Sequence, residues 1–383
     1  MKKTLLSLFA VALVANIQAQ VSEPTLTRVW KYNYETNLSA MPTNRFAAAY
    51  DGTIYVQENN ALYSWSKDGA KTNVISDSSL AGYAITCDQA GNVVYSTNKW
   101  LAGATAWAFV NNKGEITKFT VSLPSGISGS STQTPSRIIG DITSEKGGYM
   151  YVGNWSSKSA VMFHMANMGT ENATIESSLS SAFAISDKNF DATFNVQPML
   201  NNVDDIAKAE KPSDMLYARY RTNKHIYYLN GIETNYYTAP TGSYSTMGFD
   251  VFELSDGIKY AIYPMGKTYD SSFAIVDLSN GEIVVTTSDD DVVVAQGSAN
   301  YYNTLLAEKV SSTKVNIYQC LMNTQVAMYT FEIPEDLTTS IQEVGADSNA
   351  PVEYYNLQGV KVANPENGIF IKKQGAKTSK VVL

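Results

Sequence analysis

Asp51-Gly52-Thr53-Ile54-Tyr55-Val56 is an Asp-Gly pair followed by alternating β-forming residues. Such a pair ahead of an alternating run marks a tight turn delivering the chain into a strand. The design returns in Asp88-Gln89-Ala90-Gly91-Asn92-Val93-Val94-Tyr95, in Lys146-Gly147-Gly148-Tyr149-Met150-Tyr151-Val152 and in Asp256-Gly257-Ile258-Lys259-Tyr260-Ala261-Ile262. Residues 215–220 and 315–319 read as degenerate copies. Each copy precedes a further strand, at residues 61–65, 104–110, 160–165, 225–229, 273–277 and 326–331. Several of these close in another turn, such as Lys67-Asp68-Gly69, Asn112-Lys113-Gly114 and Ser279-Asn280-Gly281.

From Ala61 to Val326 the five intervals average about 53 residues, a blade-sized period. The apolar residues alternate instead of recurring every 3.6 residues, which excludes helical repeats. Four-stranded blades around a channel account for both facts. The expected fold is therefore all-β: a six-bladed β-propeller over residues 24–334. A tandem of β-sandwiches is the alternative. Turns of the Asp-x-x-Gly-Asn type resemble those of six-bladed propellers such as the NHL-like family. The broader architecture is NHL-like or WD40-like, although neither the WD40 signature nor the sialidase Asp-box is present.

Leu26-Thr27-Arg28-Val29-Trp30-Lys31-Tyr32 is a strand far from any turn copy, while residues 305–333 hold about three strands. Pairing the N-terminal strand with the last repeat covers two edges that would otherwise be exposed.

The two ends of the chain differ from the middle. Lys2 and Lys3 precede an apolar stretch over residues 5–17, and Ala19 follows Ile17-Gln18. This is the plan of a cleaved secretory signal over residues 1–19. The stretch is shorter than the roughly 20 residues a spanning helix needs, and no later segment is apolar enough. Residues 335–350 are a polar, acidic linker. Residues 351–383 form a small antiparallel β-module of two hairpins, split by the Asn364-Pro365-Glu366-Asn367-Gly368 loop signal.

Tyr355-Asn356-Leu357-Gln358-Gly359, Gly368-Ile369-Phe370-Ile371, Gly375 and Lys380-Val381-Val382 resemble, in order, the C-terminal modules of secreted Bacteroidetes proteins, related to the type IX secretion sorting domain. The resemblance covers about thirty residues. It implies an extracytoplasmic protein, secreted or at the cell surface, whose C-terminal module contacts envelope or secretion machinery.

The formal charge is −8 over 383 residues, and more negative once Lys2 and Lys3 are lost. An acidic chain without basic clusters excludes nucleic acid as the expected partner. Cys87 and Cys320 lie in apolar strand patterns of distant repeats, which favours two buried free thiols over a bridge. His164 and His225 have no metal-ligand spacing around them. Asp289-Asp290-Asp291 lacks the spaced ligands of a calcium loop. No glycine-rich phosphate loop and no Gly-x-Ser-x-Gly elbow occurs, so no cofactor is indicated.

Long connections at residues 123–135, 176–193, 236–246 and 288–303 share one expected face with the exposed aromatics Trp100, Trp155, Tyr269 and Tyr301. Arg45, Tyr83 and Arg137 begin innermost strands at the same end. Long loops on a rigid scaffold are where function concentrates. These seven residues are the candidate ligand site, an aromatic cleft for a glycan or peptide, and a non-enzymatic binding protein is the favoured function. A glycoside hydrolase or lyase using Asp141 and Asp250 at the channel mouth is one alternative. A structural envelope or adhesion component is the other.

Overall fold

The computed structural model describes residues 23–34, 47–58, 60–78, 85–96, 106–127, 132–154, 157–181, 194–199, 202–209, 216–220, 225–228, 234–236, 248–265, 270–294, 303–321, 324–334, 351–356, 359–366, 368–374 and 377–382. The chain divides into two compact units, Met1–Pro334 and Glu335–Leu383.

In the first unit the described strands form six antiparallel sheets. Sheet 1 runs in order through Ala47–Tyr50, Thr53–Glu58, Ala61–Trp65 and Lys71–Ser76. Sheet 2 comprises Ile85–Cys87, Val93–Ser96, Ala106–Val110 and Ile116–Thr120. In sheet 3 the first strand is split into Thr132–Pro135 and Ile139–Gly140, both paired to Gly148–Asn154, with Ser159–Ala166 and Thr174–Leu179 beyond. Sheet 4 holds Phe194–Pro198, Leu216–Tyr220, His225–Tyr228 and Thr234–Tyr236. Sheet 5 holds Asp250–Glu253, Lys259–Pro264, Phe273–Asp277 and Ile283–Thr286. A short helix, Val203–Lys208, capped by the Asn202 side chain on the Asp204 N–H, interrupts sheet 4 after its first strand.

Sheet 6 is assembled from both ends of the unit. Asn303–Lys309, Lys314–Leu321 and Gln325–Glu332 are followed by Thr25–Asn33, which pairs antiparallel with Gln325–Glu332. Leu26-Thr27-Arg28-Val29-Trp30-Lys31-Tyr32 thus pairs with the last repeat, as expected. The register shifts between Arg28 and Trp30, so Val29 is an extra, half-exposed residue. A bulge on an edge strand blunts it against further pairing.

The core lies between neighbouring sheets. Trp107 and Phe109 of sheet 2 pack with Val152 and Phe163 of sheet 3. Phe252 and Tyr260 of sheet 5 pack with Phe331 and Tyr329 of sheet 6. Ile54, Val56 and Trp65 of sheet 1 pack with Tyr318, Cys320 and Val326 of sheet 6. Fully burying one such side chain contributes roughly 1.5–3 kcal/mol, which is why both faces of these strands are apolar. First strands also touch in sequence: Phe194–Pro198 lies against Asp250–Glu253, Asp250–Glu253 against Asn303–Lys309, and Asn303–Lys309 against Ala47–Tyr50.

In the second unit, Val352–Tyr355 pairs with Lys361–Val362, and Ile369–Gln374 pairs with Lys377–Val382. These are the two expected hairpins, and pairing of Val352–Tyr355 with Ile369–Gln374 joins them into one sheet. Residues 351–356, 359–366, 368–374 and 381 of this unit are half-buried or exposed.

Gly248 marks the closest approach of sheets 5 and 6. A Cβ there would stand 2.1 Å from the Asn303 carbonyl oxygen and 2.6 Å from the Leu305 nitrogen. Those neighbours are backbone atoms of a strand and cannot turn aside. Gly248→Ala is expected to lower stability by about 3 kcal/mol, the upper end of overpacking costs. Denaturant unfolding of the two proteins measures it.

Candidate functional site

The first strands of the sheets carry two features in one place: a buried ion pair, and beyond it a cavity of about 410 Å³. Arg137 lies in the break of sheet 3's first strand, and its guanidinium pairs with Asp250 at the start of sheet 5. The same guanidinium donates to the Pro198 carbonyl of sheet 4 at 2.5 Å. Asp250 in turn accepts from the Ala307 N–H of sheet 6 at 2.8 Å and from the Val251 N–H at 2.8 Å. One arginine and one aspartate therefore connect the first strands of four sheets. Burial pushes the Asp250 carboxyl above the usual carboxylate range, and the Arg137 guanidinium and the two N–H donors act against this.

These bonds give Asp250 a structural role, where the sequence also offered it as half of a hydrolytic pair. A catalytic carboxylate must reach the scissile bond, whereas Asp250 is fully buried and its oxygens are already engaged. Asp141 is engaged too, accepting from the Thr143 N–H at 2.8 Å and the Thr143 hydroxyl at 2.6 Å. Both carboxylates hold backbone and turns in place.

Arg137 was expected to offer hydrogen bonds to a ligand at the mouth of the long loops. Its donors are instead turned mainly to protein acceptors, and its side chain is only 15% exposed. Arg45, Tyr83, Trp100, Trp155, Tyr269 and Tyr301 lie outside the described residues.

The cavity lies at the other end of the first strands, where they run out into their turns. Three strands show the same gradient of exposure. In sheet 1, Ala49 and Tyr50 are half-buried and Asp51 is exposed; in sheet 2, Cys87 and Asp88 are buried and Gln89 is exposed. In sheet 6, Ala307 and Glu308 are half-buried and Lys309 is exposed. Ile138 and Ile139 of sheet 3 complete the wall, with Arg137 beside them. The Tyr50 ring rests on the Gly91 turn, where a Cβ would stand 3.1 Å from the ring. Glycine is needed there for its positive φ and for the space.

The charged groups have distinct tasks. Asp88 accepts from the N–H groups of Ala90, Asn92 and Ile142 and from the Asn92 amide, so it builds its own turn and ties it to sheet 3. Glu308 accepts from the Gly52 N–H at 3.0 Å and from the Tyr318 hydroxyl. Lys309 donates to the Glu253 carbonyl at 3.0 Å. Asp51 has no hydrogen-bond partner among the described residues. Cys87 donates its thiol to the Ala49 carbonyl at 2.8 Å. Burial, then Asp88 and Glu308, push that thiol well up, which removes it as a nucleophile near neutral pH.

The sequence held one signal for this rim that was read only as turn chemistry. Asp51 and Asp88 open the repeated turns, and a turn at the end of a sheet's first strand presents its residues at the rim of the cavity. Glu308 carries no such mark.

No family model matches the chain, and no curated protein matches it. Among solved structures it is similar to a DUF4623 family protein from Bacteroides eggerthii DSM 20697, with a TM-score of 0.51 and 11% identity, over 82% of this chain and 76% of that one. A streptogramin B lyase aligns with a TM-score of 0.40 and 12% identity, over 80% of this chain and 100% of that one. The WD40 domain of Neurospora crassa Pan2 aligns with a TM-score of 0.32 and 8% identity, over 75% and 74%. At these identities the likeness concerns fold alone.

Two outcomes follow from this geometry. Arg137→Ala leaves Asp250 buried and unpaired, which costs about 3–5 kcal/mol. Adding Asp250→Asn to Arg137→Ala is expected to return part of that loss in denaturant unfolding. Cys87 and Cys320 are both buried and free. A thiol-reactive chromophore should therefore label neither in the native protein and both after denaturation; rapid native labelling would contradict the burial.

Proposed function

We propose that the chain is an extracytoplasmic, non-enzymatic binding protein whose scaffold is a closed six-bladed β-propeller. The export signal over residues 1–19 and the sorting-domain-like C-terminal stretch support the location. The six successive sheets, the packing of sheet 6 on sheet 1 and the N-terminal strand that completes sheet 6 support the ring.

One observation carries the binding role. The cavity of about 410 Å³ is lined from the first strands of four different sheets. Small-molecule sites commonly span roughly 300–1,000 Å³ and are built by rigid elements that converge on one point. Asp141 and Asp250, the carboxylates considered for hydrolysis, serve structure and do not line the cavity, which supports the binding reading. A glycan or a peptide presents the mixture of apolar and polar groups that such walls recognise.

Mass spectrometry of the exported protein should find Ala19 removed and Gln20 at the N-terminus. A glycan and peptide array with the mature protein should return at least one ligand class whose binding survives moderate salt, because burial screens such contacts poorly. An intact Met1 in the exported pool would overturn the location, and a blank array would overturn the binding role.

A further inference from the structure

We infer that the turn-side cavity binds an organic ammonium group carried on an apolar body, with the apolar part against the inner wall and the ammonium among Asp51 and Glu308 at the rim. The inference rests on the binding role proposed above and assigns its ligand chemistry.

Three observations carry it. The first is the gradient along the walls. Ala49, Cys87 and Ala307 are followed one or two residues later on the same strands by Asp51, Asp88 and Glu308, and Ile138 and Ile139 add apolar wall from sheet 3. A ligand entering from the turns therefore meets charge at the mouth and methyl groups within.

The second is the sign of the charge. Arg137 and Asp250 neutralise one another. Asp51, Asp88 and Glu308 then face a single cation, Lys309, among the lining residues. The neighbouring phenols feel the excess of negative charge. Burial, then Asp51, Asp88 and Glu308, raise the Tyr50 hydroxyl; burial, then Cys87, Tyr50, Asp51 and Asp88, together raise that of Tyr55 to about 12. Such a field attracts cations and repels carboxylates and phosphates.

The third is what remains unengaged. Asp88 is consumed by four donors in its own turn. Asp51 is exposed and has no hydrogen-bond partner among the described residues. Glu308 holds its two donors but keeps acceptor capacity. Tyr50 adds an aromatic wall, and a ring face attracts ammonium groups.

Two sources carry this chemistry: a free amine, and the N-terminal residue of a peptide with an apolar side chain. The probes are phenethylammonium, its neutral isostere 2-phenylethanol, and phenylacetate, each titrated into the mature protein by calorimetry at low salt. Phenethylammonium should bind about threefold or more tighter than 2-phenylethanol, as expected for partly exposed ion pairs, and phenylacetate should not bind. The tripeptide Phe-Gly-Gly and its N-acetylated form then separate the sources. Binding of the free form alone assigns the peptide, and binding of phenethylammonium without either peptide assigns the amine.

Asp51 occupies a positive-φ turn that asparagine tolerates, so Asp51→Asn should fold normally and weaken phenethylammonium about threefold. Lys309→Gln removes the rim cation and should tighten it. Opposite shifts in two folded variants are not produced by a merely structural role. Equal binding of 2-phenylethanol and phenethylammonium, or shifts of the same sign in both variants, would overturn the inference. Array ligands that bind without competition from phenethylammonium would overturn it while leaving the binding role intact. A blank array together with silent probes would remove both.

Discussion

The pairing of Thr25–Asn33 with Gln325–Glu332 joins the two ends of the larger unit, and the remaining architecture depends on it. Without that strand, sheet 6 ends in an open row of backbone donors and acceptors. The pairing also brings Trp30, Tyr32 and Tyr34 to the seam with sheet 1. There the Lys71 ammonium lies 5.2 Å from the Tyr32 ring, 5.4 Å from the Tyr34 ring, 4.2 Å from the Tyr63 ring and 4.9 Å from the Trp65 ring. Glu58 binds the same ammonium at 3.0 Å and accepts from the Tyr34 hydroxyl at 2.5 Å. Cation, carboxylate and four rings clasp the N-terminal strand to the first sheet. The pairing of Thr25–Asn33 with Gln325–Glu332, by contrast, joins opposite ends of the unit and closes a far larger loop of chain.

The Arg137–Asp250 pair does at the inner strands what the Lys71 cluster does at the seam. Desolvating both charges is costly, and the pair persists because carbonyl and N–H partners satisfy what the ion pair leaves. It fixes the first strands of sheets 3 to 6 relative to one another, and two of these, from sheets 3 and 6, line the cavity together with those of sheets 1 and 2. Rigidity in the wall and openness at the turns come from the same arrangement. The buried pair holds the inner level, while tight turns with small side chains keep the outer level free.

The C-terminal sheet obeys a different balance. Its first three strands bury no residue, and Val352, Val360 and Ile369 are well exposed. A small sheet stabilised by its own hairpins gains little from the hydrophobic effect. Its exposed pair Lys361–Glu353 and the Tyr355 hydroxyl on Glu353 add local order but little net stability.

Turn chemistry and period-2 alternation made the strands legible. An Asp-Gly pair before Thr53-Ile54-Tyr55-Val56 has few other conformations open to it, so the repeated strands and the hairpins of residues 351–383 could be read locally. The solitary strand at residues 26–32 could be matched to the last repeat because an unpaired edge is a physical debt wherever it occurs. The site was less legible. Asp141 and Asp250 look alike in sequence, and only the tertiary structure decides that one bonds its own turn and the other is buried against an arginine 113 residues away. Arg137 stood at the start of an inner strand with nothing to say which way its guanidinium would turn. The end of the first strands at which the cavity opens also came from the fold alone. Local sequence fixes φ, ψ and the direction of a side chain along one strand, but a cavity is made by groups from four sheets, and their convergence is a property of packing.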